Sequence, residues 1–175
     1  MPKSIQMRFW IIILCALIVA NIFVYRTVSA PRAFEVLVFE VGKGRAVLVQ
    51  SPSGRTLLVD AGTSAAVLRT LGTALSYWQR SLDAVILTSG DARSASGLRD
   101  IQNSYHNSYH IGRIASFGGK DLPYGTSLLF DANASITVLA SGIFSISYGA
   151  TSFQISSSTS PGLYTSNGTI FIKKE

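Results

Sequence analysis

The residues best suited to chemistry are a few carboxylates and histidines in the first two thirds of the chain. Asp60 ends one apolar run and Asp91 follows the next, while His106 and His110 are the only histidines. On a helix, the spacing of the two histidines would place both on one face. A zinc hydrolase needs about three protein ligands and an open position for water. These side chains could therefore form a metal site only if the fold assembles them; otherwise they are solvated or hydrogen-bonded within the fold.

Composition excludes several other kinds of chemistry. The chain has 175 residues, of which 47% are hydrophobic and 14% charged, and a net charge of +6. These values exclude a highly charged disordered chain and allow one domain with a real core. The single cysteine, Cys15, excludes a disulfide framework, a thiolate metal site and a cysteine nucleophile. Three of the 15 basic residues and none of the 9 acidic ones lie in residues 1–30, so half of the net charge flanks the N-terminal apolar run.

The N-terminal apolar run, Phe9–Tyr25, contains no charged residue and has arginines on both sides. As a helix it would be about 25 Å long, near the lower limit for crossing a hydrocarbon core of about 30 Å. We predict that residues 1–30 form a cytoplasmic tip and a single-pass transmembrane anchor, with residues 31–175 outside the cytoplasm. Two alternatives are a signal peptide whose cleavage would lead to secretion, and a buried core helix.

Apolar alternation and turn signals predict a mixed α/β (α+β) domain over residues 31–175, with two sheets and helices outside them. Helices are expected from Thr63 to about Tyr77 and from Ser94 to Gln102. The expected strands are Phe34–Val41, Arg45–Gln50, Arg55–Asp60, Leu82–Thr88, His110–Phe117, Ser135–Ala140, Phe144–Tyr148, Thr151–Ser157 and Thr169–Ile172.

Four short segments follow one another in this domain. Glu40–Ala46 reads EVGKGRA, Asp60–Gly62 reads DAG, Leu87–Ser94 reads LTSGDARS, and Ser145–Phe153 has the pattern of a hairpin. Their order and spacing resemble the metallo-β-lactamase-fold domain of ComEC-type competence proteins, which form the inner-membrane channel for transforming DNA. The resemblance runs from about residue 34 to residue 158. It implies a truncated αββα sandwich and an association with DNA uptake.

The resemblance also implies that the metal ligands are lost. The positions that correspond to the family's ligands are Ser89, Asp91, Arg93, Ser94 and Ser158. Of these only Asp91 could bind a metal, and Arg93 would place a permanent positive charge near the second metal position. Asp60 corresponds to a carboxylate that supports the metal-binding loop. We therefore expect no metal, no cofactor and no catalytic residue in this chain.

From these observations we predict a catalytically inactive, membrane-anchored protein that is related to ComEC-type DNA uptake. It would attach to the membrane through residues 9–25 and bind single-stranded DNA or a membrane protein; no small-molecule substrate is identified. The basic residues that could contact phosphates, or else act as dispersed solubilising charges, are Lys43, Arg45, Arg93, Arg99 and Lys120.

Two other functions stay open. One is a structural or partner-docking module that has no role in nucleic-acid binding. The other is a divergent metal-dependent hydrolase whose site would combine Asp60, Asp91, His106 and His110.

Overall fold

A computed structural model describes residues 3–28, 33–76, 79, 81–103, 110–118 and 122–174. The chain divides into two compact units, Met1–Pro31 and Arg32–Glu175. The first unit contains helix α1 (Lys3–Val28), on which apolar side chains such as Trp10 and Ile12 are largely exposed. Over the described residues, no helix combines the length and the hydropathy needed to cross a membrane. The prediction of a transmembrane helix over residues 9–25 is therefore not supported.

The described part of the second unit contains a seven-stranded sheet with two helices. The helices are α2 (Ala66–Ala74) and α3 (Ala92–Asn103). The strands of this sheet are β1 (Phe34–Val41), β2 (Gly44–Gln50), β3 (Thr56–Ala61), β4 (Ser81–Leu87), β5 (His110–Ser116), β10 (Gly162–Ser166) and β11 (Phe171–Lys174). Their order is β11-β10-β1-β2-β3-β4-β5. Strands β3, β4 and β5 run parallel, with α2 and α3 in the two connections, and the other neighbours are antiparallel.

A second sheet of four antiparallel strands lies between β5 and β10 in the sequence. Its strands are β6 (Ser127–Asp131), β7 (Ala134–Ala140), β8 (Ile143–Tyr148) and β9 (Thr151–Ile155). They follow one another in chain order within the sheet, joined by short turns. Of these strands, β6 was not predicted from the sequence.

The core has two parts, and β1 contributes to both because successive side chains of a strand point to opposite faces. Phe34, Val36 and Val38 pack into the cluster between the two sheets, and Phe34 stacks on Tyr148 with ring centroids 4.3 Å apart. Val41 packs into the other cluster, which lies under the helices. Burying one such large apolar side chain contributes about 1.5–3 kcal/mol.

The predicted mixed α/β fold with two sheets is confirmed. In the described part of the second unit, both helices contribute to the cluster on one face of the seven-stranded sheet. The observed layers are therefore helix, sheet and sheet, which are three of the four layers of the αββα sandwich that the resemblance implies in truncated form.

Helix α2 begins later than predicted because Thr63 forms hydrogen bonds to the β1–β2 turn. The Thr63 hydroxyl accepts a hydrogen bond from the backbone amide of Lys43 (2.9 Å), and its own amide donates to the carbonyl of Val41 (3.2 Å). Thr63 thus holds the β1–β2 turn, and the helix begins only at Ala66.

Candidate functional site

An open cleft of about 480 Å³ lies in the second unit, where β1, β2, β3 and the turns of the second sheet meet. Its apolar lining is formed by Val47, Val59, Phe144 and Ile155, all of which are buried. Its polar lining comes from Glu40, Gly42, Lys43, Gly44, Arg45, Asp60, Ser89, Asp91, Ser141, Gly142 and Ser157. Asp60, Asp91, Ser89, Lys43 and Arg45, which the sequence singled out, are therefore brought together in one place.

Asp60 lies at the inner end of the cleft and is only 8% exposed. Its backbone has a φ of +54°, in the left-handed region that non-glycine residues rarely adopt. The two carboxylate oxygens accept hydrogen bonds from the amide (2.8 Å) and the hydroxyl (2.7 Å) of Thr88. This fully buried threonine joins the end of β3 to the end of β4.

Thr88 also reaches the second sheet. Its hydroxyl accepts a hydrogen bond from the amide of Gly142 (2.9 Å), and its carbonyl accepts one from the Tyr124 hydroxyl (3.2 Å). Gly142 lies in the β7–β8 turn with a φ of +68°, which favours glycine. Thr88 therefore connects three segments around the cleft, and sequence reasoning did not identify it.

The segment after Thr88 carries two of the predicted degenerate metal positions. Ser89 is buried, with 7% of its surface exposed, and its hydroxyl accepts a long hydrogen bond from the amide of Asp91 (3.4 Å). The Asp91 carboxylate is exposed at the rim. Arg93 and Ser94 belong to the first turn of α3.

The last predicted metal position, Ser158, lies in the loop after β9. Its hydroxyl is 2.8 Å from that of Ser156, and Ser157 rather than Ser158 lines the cleft.

A close backbone approach fixes α3 beside the cleft. The amide of Gly97 donates to the carbonyl of Gly62 (3.0 Å), and a Cβ atom at Gly97 would lie 2.0 Å from the carbonyl oxygen of Ala61. Only glycine allows this approach. Gly97 therefore determines where the β4–α3 segment, which carries Ser89 and Asp91, leaves the sheet.

Arg45 connects the two sheets at one end of β2. Its guanidinium donates to the backbone carbonyls of Ser156 and Ser157, the latter at 3.0 Å. This closes the side of the cleft next to β9. Arg45, which the sequence offered as a phosphate contact, thus already uses two of its N–H groups within the protein.

A second connection between the sheets follows the other end of β2. Arg55 donates to the carbonyl of Phe130 (2.9 Å), and the Ser53 hydroxyl donates to the Asp131 carboxylate (2.7 Å). Burial alone would raise the pKa of Asp131, but hydrogen bonds from Ser51, Ser53 and the amide of Ala132, together with the positive charge of Arg55, lower it below 3.8.

The structure does not bring His110 to the two carboxylates of the alternative hydrolase site. His110 begins β5 opposite Ser81, the first residue of β4, whereas Asp60 and Asp91 lie near the opposite ends of the parallel strands. His106 lies outside the described residues. Over the described residues, no three His, Cys, Asp or Glu side chains are grouped closely enough to hold a metal ion.

Three of the five predicted phosphate contacts have side chains that the structure describes. Lys43 and Arg45 line the cleft, while Arg99 is exposed on α3. Arg93 is also on α3, and Lys120 lies outside the described residues.

The sequence matches no protein-family model and no curated protein. Among solved structures, the chain is similar to the native FEZ-1 metallo-β-lactamase from Legionella gormanii, with a TM-score of 0.46 and 8% identity over 70% of this chain and 59% of that one. A metallo-β-lactamase mutant in the HARLDQ motif, from Cronobacter sakazakii, gives a TM-score of 0.44 and 12% identity over 65% of this chain and 56% of that one. A diphosphatase of the PhnP family gives a TM-score of 0.42 and 14% identity over 69% of this chain and 64% of that one.

The chain thus spans less than two thirds of the length of each of these three proteins. At TM-scores below 0.5, the similarity does not assign the chain to a family. The predicted relation to ComEC-type proteins is not tested by these similarities and stays a prediction.

Proposed function

We propose that this protein acts by binding a ligand in its cleft, without metal-dependent hydrolysis. The observation that carries the proposal is the hydrogen-bonding of Asp60. Both oxygens of this buried carboxylate accept hydrogen bonds from Thr88, which ties the carboxylate to the framework of the cleft and uses one acceptor site on each oxygen. The positions beside it carry Ser89 and Asp91, of which only Asp91 is a good ligand for a hard cation.

The charged groups around the cleft support binding rather than catalysis. A metal-dependent hydrolase needs several converging ligands and an open coordination position. Here the guanidinium of Arg45 joins the two sheets beside the cleft, and the Asp91 carboxylate is exposed at its rim.

Hydrolysis assays test the proposal. The full chain, supplied with zinc or manganese, is assayed on a phosphodiester and on a β-lactam, beside the variant Asp91→Ala. We expect the same background rate for both proteins. Metal-dependent turnover by the wild type that Asp91→Ala abolishes would overturn the proposal.

A second candidate function, nucleic-acid binding, follows from the resemblance to ComEC-type proteins. It is favoured by the side chains of Lys43 and Arg99, which are exposed and make no hydrogen bond or ion pair with other described residues. Within the cleft itself, however, the carboxylates of Glu40, Asp60 and Asp91 would repel a phosphate backbone. Single-stranded DNA would therefore contact Lys43 at the edge of the cleft and Arg99 on α3, away from these carboxylates.

Salt dependence tests this second function. Binding through phosphates weakens as salt rises, with a logarithmic slope of about −0.7 per contact on single strands. We expect Lys43→Gln and Arg99→Gln each to reduce that slope, whereas Lys174→Gln on β11 leaves it unchanged. An affinity that does not vary between low and high salt would contradict nucleic-acid binding.

A membrane location is proposed for α1. Among the described side chains of this helix, residues 10–22, eight large apolar ones are more than half exposed. They are Trp10, Ile11, Ile12, Leu14, Leu17, Ile18, Val19 and Ile22. An apolar surface of this kind favours contact with lipid. The basic residues that flank the apolar run would place residues 31–175 on the extracytoplasmic side of that membrane.

Flotation with lipid vesicles tests the membrane location. The full chain should float with the vesicles, and the variant Leu14→Lys/Ile18→Lys should not. Equal flotation of both proteins would contradict the proposal, and an amino terminus at residue 31 in the mature protein would instead identify a cleaved signal peptide.

A further inference from the structure

Asn21 is the only residue between Ile11 and Ile22 of α1 whose side chain is a strong hydrogen-bonding group. Its amide is exposed and makes no hydrogen bond with any other residue that the structure describes. The residues that precede it by one helical turn, Leu17 and Ile18, are apolar and are 58% and 51% exposed. In lipid no water is available to an amide, and an amide without a partner is costly there. In a membrane, Asn21 therefore requires a hydrogen-bond partner beyond its own helix.

Asn21 also distinguishes one face of the helix. Trp10, Leu14, Leu17 and Asn21 follow the a and d spacing of a heptad, which places their side chains along one stripe. The three apolar members of this stripe are 68%, 58% and 58% exposed. Apolar exposure alone does not select this stripe, because α1 exposes apolar side chains on its other sides as well. The amide does select it, since a partner that satisfies Asn21 must lie against this face.

A second copy of α1 presents the matching group at the matching depth. The asparagine amide carries two N–H donors and a carbonyl acceptor, so two facing amides can each donate to the other. Both copies carry Arg8 and Arg26 beside the apolar run, and they therefore take the same orientation in one membrane. The two Asn21 residues then lie at the same depth, and the symmetry of a pair brings one against the other.

We infer that α1 pairs in parallel with α1 of a second copy, along the stripe of Trp10, Leu14, Leu17 and Asn21. The two Asn21 amides hydrogen-bond to each other and fix the register of the pair. The inference rests on the membrane location proposed for α1. A different protein would have to present a polar group of its own at this depth, whereas a second copy does so because it has the same sequence.

Sedimentation equilibrium of the full chain in detergent micelles tests the inference. We expect a reversible equilibrium between monomer and dimer for the wild type. Asn21→Leu keeps the helix apolar but removes the amide, and should raise the dissociation constant about threefold to twentyfold. Asn21→Gln keeps an amide and should retain most of the association. Val19→Leu changes the opposite face of the helix and should leave the dissociation constant unchanged.

Cysteine cross-linking in lipid vesicles tests which face of α1 forms the contact. Cys15 is the only cysteine of the chain, so Cys15→Ser provides a background without thiols. On this background, Leu17→Cys places a thiol on the stripe and Val19→Cys places one on the opposite face. With an added oxidant, the Leu17→Cys protein should form disulfide-linked dimers much faster than the Val19→Cys protein.

The outcomes separate the pairing from the membrane location on which it rests. A chain that floats with vesicles but stays monomeric would overturn the pairing and leave the membrane location intact. Equal dissociation constants for the wild type and Asn21→Leu, or equal cross-linking at the two cysteine positions, would also overturn the pairing. A chain that does not float with vesicles would overturn the membrane location, and the pairing with it.

Discussion

Replacement of Thr88 by valine should be strongly destabilising, although the two side chains have nearly the same shape. The Thr88 hydroxyl donates to Asp60 (2.7 Å) and accepts from the amide of Gly142 (2.9 Å) at a position with no solvent exposure. Valine removes the donor from a buried carboxylate and the acceptor from a backbone amide. Each loss costs about 1–3 kcal/mol, so we expect the free energy of unfolding to fall by about 2–6 kcal/mol.

Urea denaturation of the wild type, Thr88→Val and Thr88→Ser measures this effect. Serine keeps the hydroxyl and loses one buried methyl group, which costs about 1 kcal/mol. The valine variant should therefore unfold at the lowest urea concentration, with an unchanged dependence on urea. If valine costs no more than serine, the hydroxyl does not join the sheets and the account of the cleft is wrong.

Three further predictions concern the same framework. Gly97→Ala should lower the free energy of unfolding by about 1–3 kcal/mol because the added Cβ would collide with the carbonyl of Ala61. Gly90→Ala, where the added Cβ would meet open space, is the control and should leave stability unchanged. Equal urea midpoints for the two variants would contradict the close approach at Gly97. Asp131 has a lowered pKa in the folded protein, so its stabilising contribution is present above pH 3.8 and is lost as the pH falls through that lowered pKa. The free energy of unfolding, measured as a function of pH, should therefore differ less and less between wild type and Asp131→Asn as the pH falls below 3.8. A difference that grows there would contradict a lowered pKa for Asp131. Arg45→Met keeps the apolar stem and loses both carbonyl contacts, so it should cost about 1–3 kcal/mol in urea denaturation, and no loss would contradict the connection.

Apolar alternation was a reliable guide to the central strands. β1 and β4 were predicted within one residue of their observed ends, because each carries a run of apolar residues that includes β-branched ones. β6 and β10 were missed. In each of these five-residue strands, most residues are only half-buried. Their apolar and polar residues do not alternate clearly along the strand, so the sequence does not predict a strand there.

Part of the cleft could also be predicted. Asp60 lies near the end of β3 and Asp91 follows β4, and the carboxyl ends of these neighbouring parallel strands meet at one edge of the sheet. The contributions of the second sheet could not, because they depend on contacts between distant positions. Arg45 reaches Ser156 across 111 residues, and Gly142 reaches Thr88 across 54. Neither spacing leaves a local signal in the sequence.

The stoichiometry of bound metal in the purified full chain tests the central claim most directly. After incubation with zinc and manganese and removal of free ions, the account predicts far less than one ion per chain, with the same value for Asp91→Ala. One or two tightly held ions per wild-type chain, lost in Asp91→Ala, would mean that the cleft is a metal centre and would contradict a non-hydrolytic binding function.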